Sequence, residues 1–171
     1  TGNLATVSAP GGIILSSTYD GALLTGQNWS GPVAGSVGYV YDNRFRSVST
    51  TVNGGNGIAF QYDADSLLTQ AGALVLSRSP QNGLLTGTVL GGVVDTWITN
   101  AFGEPTGYSA LFNTAPLYTL QMERDPLGRI SRKVETIGGA TAVYSYTYDL
   151  VGRLASVRKN GVAVETYTYD A

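Results

Sequence analysis

The chain contains no cysteine and no histidine. Disulfide frameworks, thiolate or imidazole metal sites, and Ser-His or Cys-His nucleophile pairs are excluded on that ground. The lack of cysteine leaves the compartment open, because cysteine-free proteins occur on both sides of a membrane. Charge is scarce as well. Only 13% of residues carry it and the net is −2, so composition offers no case for nucleic acid. Seven of the ten basic residues fall between Arg124 and Lys159, a bias that solvated strand faces explain more simply than an acidic partner. No apolar run approaches the ~18 residues of a membrane-spanning helix, and no charged-then-apolar leader is present. No stretch of ~10 residues keeps a helical period.

Glycine and tyrosine are abundant. The 23 glycines and 11 tyrosines in 171 residues fit an all-β chain rich in turns, long enough for one sizeable core. Residues 144–170 state the pattern most fully. Tyr144, Tyr146 and Tyr148 alternate along a strand and so share a face. Asp149 opens a turn that Gly152 closes, the acid bonding backbone N–H groups ahead and the glycine taking the left-handed conformation. Arg153 and Leu154 begin the return strand, and Asn160-Gly161 is a type I′ hairpin signal. Leu154 and Val157 stand three apart, which predicts a bulge. The next strand runs from Val162 through Tyr167 to Tyr169 and ends on Asp170, 21 residues after Asp149.

That interval recurs. Tyr19-Asp20, Tyr41-Asp42 and Tyr62-Asp63 come first, then degraded marks at Asn82 and Asn100, then Asp125 with Gly128 and Arg129, then Asp149 and Asp170. Eight marks at intervals of 18 to 25 residues define a repeat array of antiparallel hairpins. Side-chain capping of turns accounts for Asp20, Asp42, Asp149 and Asp170. Between the marks, residues 21–36 read as an apolar run and a Gly/Ser/Pro turn that includes Trp29, while Gly87 parts two short strands. The Tyr-x-Tyr pairs of neighbouring repeats are expected to stack as an aromatic ladder. A sheet of about sixteen strands twists by ~20–25° per strand and so must coil or close. The array is expected to form one domain over residues 1–171.

The two ends fit each other. Read tail to head, Asp170-Ala171 followed by Thr1-Gly2-Asn3-Leu4-Ala5 matches Asp149 to Ala155 in its acid, glycine, leucine and alanine. The chain is therefore expected to be a window on a longer array or a unit that joins head to tail, with strand 4–7 meeting the end of its neighbour.

The string Y-x-Y-D-x-x-G-R-L-x-x-V, followed by Asn-Gly and a further Y-x-Y-D, resembles the YD repeat of the Rhs (rearrangement hotspot) family. That family includes bacterial polymorphic-toxin proteins, the C components of insecticidal toxin complexes, and teneurins. Residues 144–170 carry the resemblance closely, 39–70 moderately, 17–26 and 117–136 partly, and 79–110 by spacing alone. It implies a coiled sheet of hairpins, a segment of a spiral β-shell or tube, at the cell surface or secreted. The family's self-cleaving aspartyl signature has a superficial counterpart in Asp125-Pro126-Leu127-Gly128, which lies in phase with the repeats and reads as an ordinary turn.

Other chemistry is weaker. The twelve carboxylates offer acid–base pairs for sugar hydrolysis, yet turn capping explains the repeat acids. Asp63/Asp65 and Glu123/Asp125 lack calcium-loop spacing. Glycine-rich 53–57 lacks the Lys-Ser/Thr of a phosphate loop. The reading is a non-enzyme without cofactor or metal. Three roles stay in view: a structural array, a shell segment around a toxin, and an adhesive module whose tyrosines, Trp29 and Trp97 stack on surface glycans.

Overall fold

A computed structural model describes residues 2–170, and their regular structure is entirely β. Sixteen strands lie in one sheet whose order is the sequence order. They divide into two compact units, residues 1–75 and 76–171. The first holds β1 (Thr6–Ala9), β2 (Ile13–Asp20), β3 (Leu23–Ser30), β4 (Gly35–Tyr41), β5 (Ser47–Val52), β6 (Ile58–Tyr62), β7 (Leu68–Ala71) and the start of β8 (Leu74–Arg78). The second holds β9 (Leu85–Leu90), β10 (Val93–Thr99), β11 (Pro105–Phe112), β12 (Ala115–Arg124), β13 (Ile130–Ile137), β14 (Ala140–Tyr148), β15 (Leu154–Lys159) and β16 (Val162–Thr166). The tandem antiparallel hairpins expected from turn chemistry are present. Thr1 and Ala171, which carry the head-to-tail expectation, lie outside the described residues.

Tight turns close one end of the hairpins. Asn53-Gly54, Gly138-Gly139 and Asn160-Gly161 have positive φ at both residues, the requirement of a type I′ turn. Asn160 also adds a rung: its N–H donates to the Val143 carbonyl and its side-chain Oδ1 accepts from the Val143 N–H. Asn53 does the same with Ser36. Asn113-Thr114 has positive φ at both residues as well, 46° and 74°, although threonine is a poor left-handed residue.

The expected bulge is real and is repeated. Thr147 pairs with Ser156 while Tyr148 pairs with Leu154, leaving Ala155 as the extra residue. Register slips in the same way at Tyr19, Tyr41, Tyr62, Thr99 and Arg124. Each of these six slips lies one residue before a repeat mark, where it bends the strand and re-aims the side chain beside the turn.

A buried core is absent among the described residues. Val157 is their one buried hydrophobic residue, at 8% exposure. A single layer packs each side chain only against its strand neighbours, so it leaves both faces open. Leu127 and Leu150 on the turns, for instance, are exposed, Leu150 fully.

Several boundaries differ from the sequence reading. Trp29 sits within β3 rather than in a turn, its indole lying over Gly35 where any Cβ would collide with it. Gly87 is interior to β9, because a Cβ there would strike the Asp95 carbonyl oxygen of β10. Asp20 is the last residue of β2, paired with Leu23 across Gly21-Ala22, and opens no wide turn. The mark assigned to Asn82 shifts: Ser79 opens that turn, accepting from Gly83 N–H, while Asn82 Oδ1 accepts from Leu84 N–H. β16 ends at Thr166, before Tyr167 and Tyr169.

Candidate functional site

The recurring constellation lies where one repeat meets the next. Five turns among the described residues share one hydrogen-bond pattern, opened by Asp42, Asp63, Asn100, Asp125 and Asp149. In the Asp149 turn, Oδ1 accepts from Val151 and Arg153 N–H, and the Asp149 carbonyl accepts from Gly152 N–H at 3.0 Å. The fourth residue must be left-handed. Gly152, Gly128 and Gly103 meet that demand cheaply, whereas Phe45 (φ 62°) and Ser66 (φ 66°) meet it with strain.

The fifth residue completes the brace. Arg153 Nε donates to Asp149 Oδ2 at 2.7 Å, Arg129 to Asp125 at 2.7 Å, and Arg46 to Asp42 at 2.8 Å. These bonds, with the N–H donors beneath, hold the acids below their ordinary carboxylate value. For Asp125 and Asp149 the leading cause is the arginine side chain, and for Asp42 the Arg46 backbone N–H. A carboxylate so held stays ionised and acts as a strut.

Each guanidinium then receives the ring of the following repeat. Arg46 lies 4.6 Å from the Tyr62 centroid, Arg129 4.3 Å from Tyr148, and Arg153 4.4 Å from Tyr169. The same tyrosines reach back with their hydroxyls. Tyr62 donates to Ser47 O, Tyr148 to Ile130 O and Tyr169 to Leu154 O, at 2.7, 2.7 and 2.8 Å. Each acceptor is the residue directly after the arginine. Tyr41 donates likewise to Leu24 O and Tyr19 to Leu4 O. One repeat's acid and arginine thus form a socket that the next repeat's tyrosine fills.

Among the described residues no ring contact joins the Tyr-x-Tyr pairs of successive repeats, so the expected ladder of those pairs is not seen there. Successive Tyr-x-Tyr pairs fall on alternate strands, ~10 Å apart at ~4.8 Å per strand, beyond ring contact. Arginine occupies the interval instead. Ring contacts occur where aromatics sit on adjacent strands: Trp97 with Tyr108 at 4.5 Å and Tyr108 with Tyr118 at 5.8 Å.

One junction is rewritten with its polarity reversed, and sequence reasoning missed it. Asn100 stands where the acid stands, and its Nδ2 donates to Glu104 Oε2 at 2.7 Å. Glu104 occupies the arginine position. Arg124, immediately before Asp125, replaces the tyrosine: its Nε lies 3.5 Å from Glu104 Oε2 and its Nη2 donates to Pro105 O at 3.4 Å. Pro105 directly follows Glu104 as Ile130 follows Arg129. The signal was available, since Asn100/Glu104/Arg124 keep the offsets of Asp125/Arg129/Tyr148 to within one residue.

The remaining signature residues are placed differently. Tyr146 lies in β14 opposite Val157, its hydroxyl pushed above the ordinary tyrosine value by burial. Tyr167 donates to Glu165 Oε2, which raises its own value, and its N–H donates to Ala155 O. The Asp170 carbonyl accepts from Arg153 Nη1 at 3.4 Å. Among the described residues no group of three carboxylates could hold a metal ion, and no helix is long and apolar enough to cross a membrane.

Such a chain of sockets in a hairpin sheet is the build of a YD-repeat wall. The whole chain, residues 1–171, matches the family described as the teneurin YD-shell. It belongs to that family, a structural shell component of the YD/Rhs repeat class. No curated protein matches the sequence. Among solved structures it is similar to the Photorhabdus luminescens Tc holotoxin pore with a TccC3 mutation, at 12% identity and TM-score 0.45, covering 96% of this chain and 12% of that one. It is similar also to the crystal structure of TcdB2-TccC3-Cdc42, at 12% identity and TM-score 0.40, covering 96% of this chain and 14% of that one. The chain spans a small part of either.

Proposed function

We propose that this chain is a non-catalytic length of shell wall, built to be extended repeat by repeat at the cell surface or in a secreted assembly. The observation that carries this reading is the socket between repeats. Tyr62, Tyr148 and Tyr169 are each satisfied by the arginine and backbone of the repeat before, and Tyr19 and Tyr41 by the backbone, so the array adds units without needing a buried core. The repeat-signature residues act as structure: Asp42, Asp125 and Asp149 as turn braces, Tyr62, Tyr148 and Tyr169 as plugs. Residues 1–171 act as one array, and its edge strands β1 and β16 serve as the joining surfaces, either to further repeats of a longer chain or to a second copy. Enclosure of a toxin is the use favoured within this reading, because an open single layer becomes water-excluding only when it surrounds something.

The test is growth by edge pairing. Light scattering across a concentration series is expected to show head-to-tail oligomers. Val7→Pro and Ser8→Pro together remove one outward N–H of β1, whichever residue carries it, and are expected to stop growth. A monomer at every concentration, unchanged by these substitutions, would remove the joining role.

A further inference from the structure

Between β4 and β6, the first compact unit holds a cavity at a place where the Asp149 repeat carries two apolar side chains. In that later repeat Leu154 and Val157 stand five and eight residues after the acid, opposite Tyr148 and Tyr146 of β14, and Val157 is buried. The Asp42 repeat keeps the register and changes the residues. Ser47 and Thr50 take the two places, opposite Tyr41 and Tyr39 of β4. Serine is shorter than leucine, and threonine carries a hydroxyl where valine has a methyl group. A space of about 410 Å³ opens over β5, with Tyr39 and Tyr41 on one side and Phe60 and Tyr62 on the other. Ser47 Oγ is sealed from solvent and has no hydrogen-bond partner among the described residues. Arg46 stays at the turn end, stacked on Tyr62 and bonded to Asp42 and Ser66, so no charged side chain lines the space.

We propose that this space binds a neutral phenol of two fused rings, its hydroxyl bonded to Ser47 Oγ and its rings held between the two aromatic pairs. A buried hydroxyl without a partner destabilises the fold, and a ligand that supplies the partner recovers the loss. Serine turns about one bond between staggered positions, so its Oγ reaches a group seated over β5. The aromatic pairs stand on strands ~10 Å apart, and a planar ring midway lies ~5 Å from each, within the preferred range of aromatic pairs. Along β4 the pair spans ~7 Å, the length of two fused rings. With no counterion lining the space, an ionised ligand would lose its hydration without compensation. A cavity of this size, walled by aromatic rings with a few convergent hydroxyls, has the usual build of a small-molecule site. The inference does not depend on the wall reading.

The test is equilibrium dialysis of the full chain against 2-naphthol. One saturable site per chain is expected, with half-saturation below ~1 mM, and the ligand is expected to raise the melting temperature. Ser47→Ala is expected to weaken binding about fivefold, the scale of one neutral hydrogen bond, without lowering the melting temperature of the chain alone. Ser47→Leu with Thr50→Val, the residues of the Asp149 repeat, is expected to abolish binding while the far-ultraviolet circular dichroism stays that of the native sheet. Decahydro-2-naphthol keeps the hydroxyl and loses the aromatic rings, whereas 2-naphthoate keeps the rings and adds a charge. Each is expected to bind about fivefold more weakly, or less. Equal affinity for either would overturn the proposal. So would undiminished binding to Ser47→Ala or to the double variant, or no saturation below ~1 mM. Tighter binding of N-acetyltyrosinamide would assign the space to a protein side chain and overturn it as well.

Discussion

At the scale of single residues, strain is concentrated in turns that hold the wrong side chain in a left-handed backbone. Thr114 is exposed and β-branched at φ 74°, in a position that glycine fills in the other tips. Thr114→Gly removes a left-handed cost of ~1–2 kcal/mol and adds an unfolded-chain entropy cost of ~0.5–1, for a net gain of up to ~1.5 kcal/mol in urea unfolding. Phe45→Gly follows the same arithmetic. Gly152→Ala, at φ 89°, reverses it and is expected to cost ~1 kcal/mol. Titration gives a second residue-scale expectation. Asp42, Asp125 and Asp149 are depressed in the folded state, so their contribution is present above the ordinary 3.8 and is lost as pH falls through the lower folded values. Tyr108, Tyr118 and Tyr146 are raised by burial above 10.0, so stability is present below that value and is lost as pH climbs past it. Thermal melts should therefore give a plateau with an acid shoulder below 3.8 and an alkaline one above 10.0. An acid shoulder that persists when all three aspartates are replaced by asparagine would assign it elsewhere.

Elements cohere through the socket, and its coupling is measurable. Arg129 and Tyr148 are 4.3 Å apart and 19 positions apart in the chain, so a double-mutant cycle with Arg129→Ala and Tyr148→Ala reads one junction. Tyr148→Phe alone loses the bond to Ile130 O and is expected to cost ~1 kcal/mol, since the ring stays in place. Tyr148→Ala, which removes the half-buried ring as well, should cost ~2 kcal/mol or more. The reversed junction allows a sharper test. Glu104→Arg alone sets two cations together beside Arg124 and is expected to destabilise, while Asn100→Asp, Glu104→Arg and Arg124→Tyr together should recover stability to within ~1 kcal/mol. A triple variant no better than the single one would show that the junctions are not interchangeable. These elements were unevenly legible. Hairpins, tight turns and the bulge follow from Asp149, Gly152, Asn160 and the offset of Leu154 from Val157, all local chemistry. The arginine–tyrosine contact spans about twenty residues and two strands, and nothing in a single repeat announces it. At residues 79–110 the mark itself had changed: Ser79 and Asn100 replace aspartate, and Glu104 and Arg124 exchange charge. Spacing survived there, residue identity did not. Trp29 and Gly87 misled for the opposite reason. A glycine-rich context reads as turn until the facing strand, which needs the glycine for clearance, is in view.

Across the whole chain, sheet neighbours are sequence neighbours, and stability is expected to be a sum of local terms. Hydrogen exchange should consequently be graded within each compact unit. Amides of β1 and β16, with one neighbour each, should exchange before those of β4 and β12. A single protection level over all sixteen strands would mean that the array opens as one body. The socket also gives the array a direction. Tyr62, Tyr148 and Tyr169 each lean toward residues already passed in the sequence, never toward those to come. On a ribosome that asymmetry acts as a one-way zipper. Each of these three tyrosines finds its carbonyl and its guanidinium already outside the exit tunnel, so such a junction can lock as it emerges, without waiting for chain still to be made.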